Sequence, residues 1–590
     1  MTAIDELVTT ERARRFGWPV LAMATSLIIA FSAIRGVRRG YEAIGDNALI
    51  ELRGRDVLTG DHPFLGTWSS ASISSGIDLN HPGPLLFEVV SIPVRLFGGA
   101  AGIAFGVAVL QICVVWLVGW VTARTGGATA AVVAQVITAG LVWTLGSELL
   151  YDPWQPNVLV LPFWLFMCAI WAVSADVVIM LPLAVGVGSF VMQTHLGYLF
   201  IVPILLAFAS TLTLLRRRAG GPGRFDDLRR PIVLSLVVGG VLWAQPLWEQ
   251  LFGPGRGNIG RIVVAGTVGG DDFEPVESTA TGVSTGLRVL GSVWALPPWW
   301  GRPGFDSAIP PSTWIDGPGG RTLDAPGLRT LGPSLIGLVI LVVVVALGWR
   351  RVRRLGSRQL DAGFMTVAVA GAVGLVTVII TPIDVLGLSP HKVRWLWVIA
   401  AFATYMLLMA LVAGFDERRR RLGVAGLGAL GLVALLATVP TFVNRSGPVY
   451  FRATYASVTD IRDQLDDYFE ADNAPTSVNF DAEGIGFAEP YTAPVMAEML
   501  RNGVDVFVED RTLARQLGPD RLLAAPRVGA ETLPLVFVRA GFAVDEIPPG
   551  AERIAFHDGD RSPFALDDVT DRAVAVFLVR NPAAAGTGVP

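Results

Sequence analysis

Three short segments hold the residue types from which chemistry could be built. The first runs Gly45-Asp46-Asn47-Ala48-Leu49-Ile50-Glu51-Leu52-Arg53, with Asp46 a few residues beyond a long apolar run. The second is Asn80-His81-Pro82-Gly83-Pro84-Leu85-Leu86-Phe87, followed by Val94-Arg95-Leu96-Phe97-Gly98 before another apolar run. The third, Ser389-Pro390-His391-Lys392-Val393-Arg394-Trp395, places three basic side chains within four residues of each other, again at the start of an apolar run. A carboxylate at a water–lipid boundary can take a proton from an alcohol arriving from water while a lipid-borne group arrives from the other side. Each segment also has a plainer reading. Asp46 can be a solvated helix cap, His81 before proline can fix a turn, and Lys, Arg and Trp at the start of a run can anchor it at an interface.

The elements that must position these residues are membrane helices. Of 590 residues, 52% are hydrophobic and only 16% charged, against about 25% charged in soluble domains. About 20 apolar residues cross a bilayer as a helix. Eleven runs qualify: 18–37, 99–122, 127–147, 157–175, 177–195, 197–215, 231–250, 333–349, 364–382, 395–414 and 423–442. The first has Asp5, Glu6 and Glu11 among its leading arginines and reads as a retained helix, not a cleaved signal. This composition excludes a soluble enzyme and a disordered chain, and gives no nucleic-acid signature.

Loop arginines set an expected orientation. Arg216–Arg218 with Arg224, Arg229 and Arg230, then Arg350, Arg351, Arg353, Arg354 and Arg358, then Arg418–Arg421, fall on one side of an eleven-span layout. That side is expected to be cytoplasmic, with the N-terminus inside and the C-terminal region outside; Arg35, Arg38 and Arg39 alone oppose it. The large loops 38–98 and 251–332 and the tail then share the outer face. From Arg445 onward there are 13 basic and 23 acidic residues, so an acidic tail follows a mildly basic body. Strand-like runs at Val504–Val508, Leu533–Val538 and Ala573–Val579, alternating with helical stretches at 454–469 and 490–502, predict an α/β domain. The chain thus divides into a membrane domain, 1–442, and an extracytoplasmic α/β domain, 443–590. Cys113 and Cys168 both lie in apolar runs and offer neither a disulfide framework nor a metal site.

The aspartate soon after the first helix, followed by His81-Pro82-Gly83-Pro84-Leu85-Leu86-Phe87 and Arg95-Leu96-Phe97-Gly98, resembles the GT-C fold glycosyltransferases. The segment is most similar to the protein mannosyltransferase and lipid A aminoarabinose transferase branch. Asp46-x-x-Leu49-Ile50-x-Leu52-Arg53 also resembles membrane arabinofuranosyltransferases. Gly83 departs from the pattern by replacing a second proline. The motif match spans about sixty residues, and the expected eleven-span layout agrees over the whole chain.

The resemblance implies inverting transfer of a sugar from a polyprenyl-phosphate donor, with Asp46 as general base on the acceptor hydroxyl. A phosphate monoester left on the lipid calls for cations at the interface. His391, Lys392 and Arg394 are the first candidates, Arg38 and Arg39 the second. Among the other polar groups near run ends, Glu148, Tyr151, Asp152 and Gln155 flank Trp154; Gln193, Thr194, His195 and Tyr198 mark a turn; Glu249, Gln250 and Asp384 end runs. Asp152 and His195 stand out for their apolar surroundings and, with His81, are expected to line the substrate site. Trp299 and Trp300, near Trp294, could stack on a sugar or simply pack. No metal motif is evident, although Asp61, His62, Asp78 and His81 could assemble a divalent cation site. The expected partners are the polyprenyl-phosphate-linked sugar, a glycan, glycolipid or protein acceptor, and the bilayer. Arabinofuranose is the first expectation for the sugar. A transporter or flippase of lipid-linked precursors is the alternative, but it predicts internal repeats and mid-span charges, which this sequence hardly shows.

Overall fold

The computed structural model describes residues 11–219, 225–253, 255–267, 272, 278–295, 298–301, 313–317, 320–324, 328–383, 387–388, 390–439, 452–471, 473–481, 489–523, 533–562 and 570–582. The bundle begins with α1 (Glu11–Arg38), a short buried α2 (Asp46–Asp56) and α3 (Leu85–Phe97). Then come α4 (Gly99–Leu145), α5 (Val160–Ser174), α6 (Leu181–Thr194), α7 (Ile201–Arg218), α8 (Arg229–Leu242) and α9 (Ala244–Phe252). It closes with α10 (Leu331–Arg354), α11 (Arg358–Ile380), α12 (Trp395–Ala413) and α13 (Glu417–Thr438). All eleven apolar runs fall on these helices. Eight helices among the described residues are long and apolar enough to cross a bilayer. The remaining runs are accounted for by three features. Gly127, with φ 77°, breaks α4 into two rods; α8 and α9 form one span bent by 52°; α6 lies in a shorter apolar helix, Val178–Thr194. This is a multi-pass membrane protein.

Burial sorts the helices by their solvent. The span containing α5 is apolar all round and wholly enclosed, whereas only 11% of the α10 window and 17% of the α13 window are buried. Inside, some polar groups pair between helices: Trp164 Nε1–H donates to Thr138 Oγ1 at 3.0 Å. The arginine clusters gather at one end of the bundle. Arg216 pairs with Asp361 of α11 at 2.9 Å, and Arg351 donates to the Ala410 carbonyl of α12 at 3.1 Å. His195 at the head of the α7 span, Thr377 and Ile380 at the end of α11, and Trp395 at the head of α12 lie at the opposite end, on one cavity.

The tail folds at that cavity end. α14 (Tyr455–Phe469) and α15 (Thr492–Arg501) cover a five-stranded sheet of β1 (Ser477–Asp481), β2 (Asp505–Phe507), β3 (Leu535–Ala540), β4 (Ala551–His557) and β5 (Val574–Val579). The order is β2-β1-β3-β5-β4. The first three strands are parallel, and β5 runs antiparallel to both its neighbours. The three strand-like runs and two helical stretches of the sequence are all found here. The unit does not close on itself, however: Ile44 and Leu52, from the first loop, are buried in the same apolar cluster as Val478, Val495 and Val576. The first loop completes the tail's core because α2 offers an apolar face that the bundle alone leaves uncovered.

Candidate active-site cavity

A cavity of about 1720 Å³ lies between the bundle end and the tail. It brings together Asp46 and His81 from the first loop, Trp154, His195, His391 and Lys392 from the bundle, and Asn479, Asp481 and Glu509 from the tail.

Asp46 is the first residue of α2, reached through Gly45 at φ 53°, a conformation that glycine adopts without strain. The free N–H groups at a helix start favour a carboxylate there. Asn47 and Ala48 behind it are buried while Asp46 remains exposed to the cavity. Trp154 Nε1–H donates to Asp46 Oδ2 at 3.1 Å. The surrounding protein raises the Asp46 pKa by limiting its hydration, and the indole hydrogen bond opposes that rise.

Trp154 is itself held from three sides. Its backbone N–H donates to Asp152 Oδ1 at 3.3 Å, the His391 ring meets its indole at 5.0 Å between centroids, and the Arg394 guanidinium lies over it at 5.8 Å. Asp152 also accepts from Asn47 Nδ2 at 2.9 Å and from Asn157 Nδ2 at 2.5 Å. Asp152 is fully buried and does not line the cavity. It therefore ties the residue beside Asp46 to the residue that hydrogen-bonds Asp46, instead of facing the cavity. Arg394, with 1% of its surface exposed, sits behind Trp154 and is likewise outside the cavity lining. His391 and Lys392 remain at the wall.

His81 and His195 stack at 5.0 Å with 29° between planes. Each accepts a backbone N–H at Nδ1: Leu196 N to His81 at 3.3 Å and Gly197 N to His195 at 3.1 Å. These acceptors assign the proton of each neutral ring to Nε2. Burial lowers the pKa of both, His195 to about 4, and the His195 ring lowers His81 further. Burial and the charges of Arg394 and Lys392 lower His391 as well. Three imidazoles thus face the cavity as neutral groups near neutral pH. Gly83, the departure from the resembled motif, has a local cause: a Cβ there would come within 2.1 Å of Gln193 Oε1, and its N–H donates to the Gln193 carbonyl at 3.2 Å.

Besides Asp152 and Arg394, four further expected site residues are not brought to the cavity. Arg38 and Arg39 are exposed, with neither on its lining. Trp299 is buried between helices, its Nε1–H donating to Thr404 Oγ1 at 3.0 Å, and Trp300 is exposed elsewhere. The aromatic rings that do line the cavity include Trp68, Trp154 and Trp395. Asp384 lies outside the described residues. The four residues that could have assembled a cation site are engaged separately: Asp61 with Arg521, His62 with the Leu58 N–H, Asp78 with Trp68 and Thr512, and His81 as above. Among the described residues, no group of three or more His, Cys, Asp or Glu side chains is arranged to hold a metal.

No known protein family matches the chain, and no curated protein does. Among solved structures, it is similar to ArnT from Cupriavidus metallidurans bound to undecaprenyl phosphate, with a TM-score of 0.50 and 14% identity, over 97% of this chain and 99% of that one. The apo state of the same protein gives a TM-score of 0.49 at 13% identity over the same shares. The fold is GT-C. At this coverage the match spans both the bundle and the C-terminal unit of this chain.

Proposed function

We propose that this chain is an inverting glycosyltransferase that moves a sugar from a polyprenyl-phosphate donor to a hydroxyl acceptor. The observation that carries the reading is the convergence, on one cavity, of an interfacial carboxylate with His391 and Lys392, joined through Trp154. The GT-C neighbour bound to undecaprenyl phosphate supports the donor class. In the reaction, Asp46 removes the acceptor's hydroxyl proton and the oxygen attacks the anomeric carbon from the face opposite the phosphate. The bond between that carbon and the phosphate oxygen then breaks, and the electron pair leaves on a polyprenyl phosphate. Lys392 and His391 hold the phosphate, with Arg394 supporting them from behind Trp154. The Nε2–H groups of His81 and His195 give uncharged donors to sugar or phosphate oxygens.

The three arginine clusters at the opposite end of the bundle support a cytoplasmic assignment for that end, with the cavity and the tail outside. Arabinofuranose is the first choice of sugar, and a cell-envelope glycan, glycolipid or protein the acceptor; the Asp46-x-x-Leu-Ile-x-Leu-Arg segment supports that choice. The test is the thermal stability of the detergent-solubilised chain with undecaprenyl phosphate against a phospholipid of equal charge. A ligand that binds only the folded form stabilises it by about 2.7 kcal/mol at a hundredfold excess over its dissociation constant. A shift specific to undecaprenyl phosphate and lost in a His391→Ala/Lys392→Ala variant supports the reading. An equal response to both lipids overturns it.

A further inference from the structure

The helix that carries Asp46 is gripped by the tail. At eleven residues, α2 is too short to be stable alone, and it has no side-chain N-cap. Yet Glu51, Arg53 and Asp56 on it are all buried, which is costly unless each is paired. Arg462 of α14 forks onto Glu51, with Nη2–Oε1 at 3.1 Å and Nη1–Oε2 at 3.2 Å. Arg521, just beyond the short helix α16 (Arg511–Leu517), forks onto Asp56 at 2.7 and 2.8 Å. Two planar forks five residues apart fix both the axis of α2 and its rotation about that axis. Asp46 stands about one and a half turns from the first of them.

We propose that Arg462 and Arg521 are positioning residues for Asp46, so that the tail and not the bundle alone sets where the carboxylate stands in the cavity. The inference rests on the proposed function only for the role of Asp46; the grip itself can be measured without any substrate.

Its surroundings give the grip a pH response. Arg462 also meets Glu498 of α15 at 2.8 Å and Glu42 at 3.4 Å, so three carboxylates share one guanidinium. Arg55 lies 3.5 Å from Glu51, Arg501 pairs with Glu498, and Tyr455 and Thr459 of α14 complete the setting around Glu42. Burial and the charges of Glu51 and Glu498 outweigh Arg462 and push the Glu42 carboxyl up to about 7. A folded-state pKa raised above the ordinary value means that closure is favoured at low pH and weakens as pH rises through 7.

The test is amide hydrogen exchange, read by mass spectrometry on the full chain in detergent. After correction for intrinsic rates, opening of 46–56 in the wild type is expected to rise about tenfold from pH 6 to pH 8, and Glu42→Gln to abolish that rise. Arg462→Met and Arg521→Met are each expected to speed exchange of 46–56 at least tenfold while α5 and α12 stay protected, with Arg462→Lys and Arg521→Lys in between. Unchanged 46–56 exchange in the Met variants, or equal loss of protection in α5, overturns the proposal. Should the Met variants fail to fold, the wild-type and Glu42→Gln pH comparison decides, and a flat wild-type profile overturns it. Undecaprenyl phosphate stabilisation is a separate readout: its absence in the wild type counts against the proposed function and leaves the exchange result standing.

Discussion

The two walls of the cavity have opposite chemistry. The bundle wall, with His81 of the first loop stacked on it, presents Lys392, the neutral imidazoles of His81, His195 and His391, and the indole of Trp154, which are mostly hydrogen-bond donors. The tail wall presents Asp481, Glu509 and Asp510 with Asn479, which are mostly acceptors; Asn479 Nδ2 already donates to Glu509 at 2.9 Å. A phosphate accepts hydrogen bonds and suits the first wall, whereas sugar hydroxyls donate readily to carboxylates and suit the second. Asp46 lies between, on a helix rooted in both. Two unlike walls fit the proposed transfer, which needs places for two different ligands, better than a carrier of one substrate.

The comparison can be broken most severely at its centre. Asp46→Asn is expected to lower transfer by about 10²- to 10⁴-fold while undecaprenyl phosphate still stabilises the protein; near-normal turnover would remove Asp46 as the base. On the bundle wall, His391→Ala with Lys392→Ala should weaken undecaprenyl phosphate binding about ten- to a hundredfold, the worth of one or two charged hydrogen bonds. Titration of the thermal shift measures it, and Glu509→Gln on the tail wall should leave that titration unchanged. If both variants weaken the lipid equally, the walls are not specialised. Trp154→Phe removes the hydrogen bond that favours ionised Asp46, so its carboxyl pKa rises further. The acid limb of the rate–pH profile should therefore move to higher pH; an unmoved limb would separate Trp154 from the base. The smallest effect is expected away from both walls. Trp299→Phe forfeits its bond to Thr404, about 1 kcal/mol of stability, and should leave transfer within about twofold.

Much of this architecture was legible in the sequence because membrane helices are written in composition. All eleven apolar runs are helices, and the arginine clusters do share one end. Asp46 was legible for a similar reason: an ionisable residue just past a long apolar run is conspicuous. What the sequence hid was depth. Arg394 and Lys392 are two residues apart, yet one is sealed behind Trp154 and the other faces the cavity, because the turn Pro390–Val393 sends them to different sides of the wall. Asp152 looked like a site residue because it is charged in apolar surroundings, and that same burial is what makes it a brace. The partnership of Asp46 with Trp154 spans 108 residues, and no local pattern records it. For Trp299 the sequence left stacking on a sugar and simple packing both open; with the Thr404 hydroxyl within reach, its indole packs inward.

The forked pair of Arg462 with Glu51 also spans time. The two residues are 411 positions apart in the chain, and a ribosome adds about 5–20 residues per second. The first loop is therefore made roughly 20–80 seconds before the arginine that neutralises it. During that interval Glu51 and Asp56 stay hydrated, Leu52 lacks its apolar cover, and the carboxylate at position 46 has no settled place. The part that finishes the first loop emerges after the described membrane spans, so a polypeptide truncated before the tail would keep those spans and lack an assembled site.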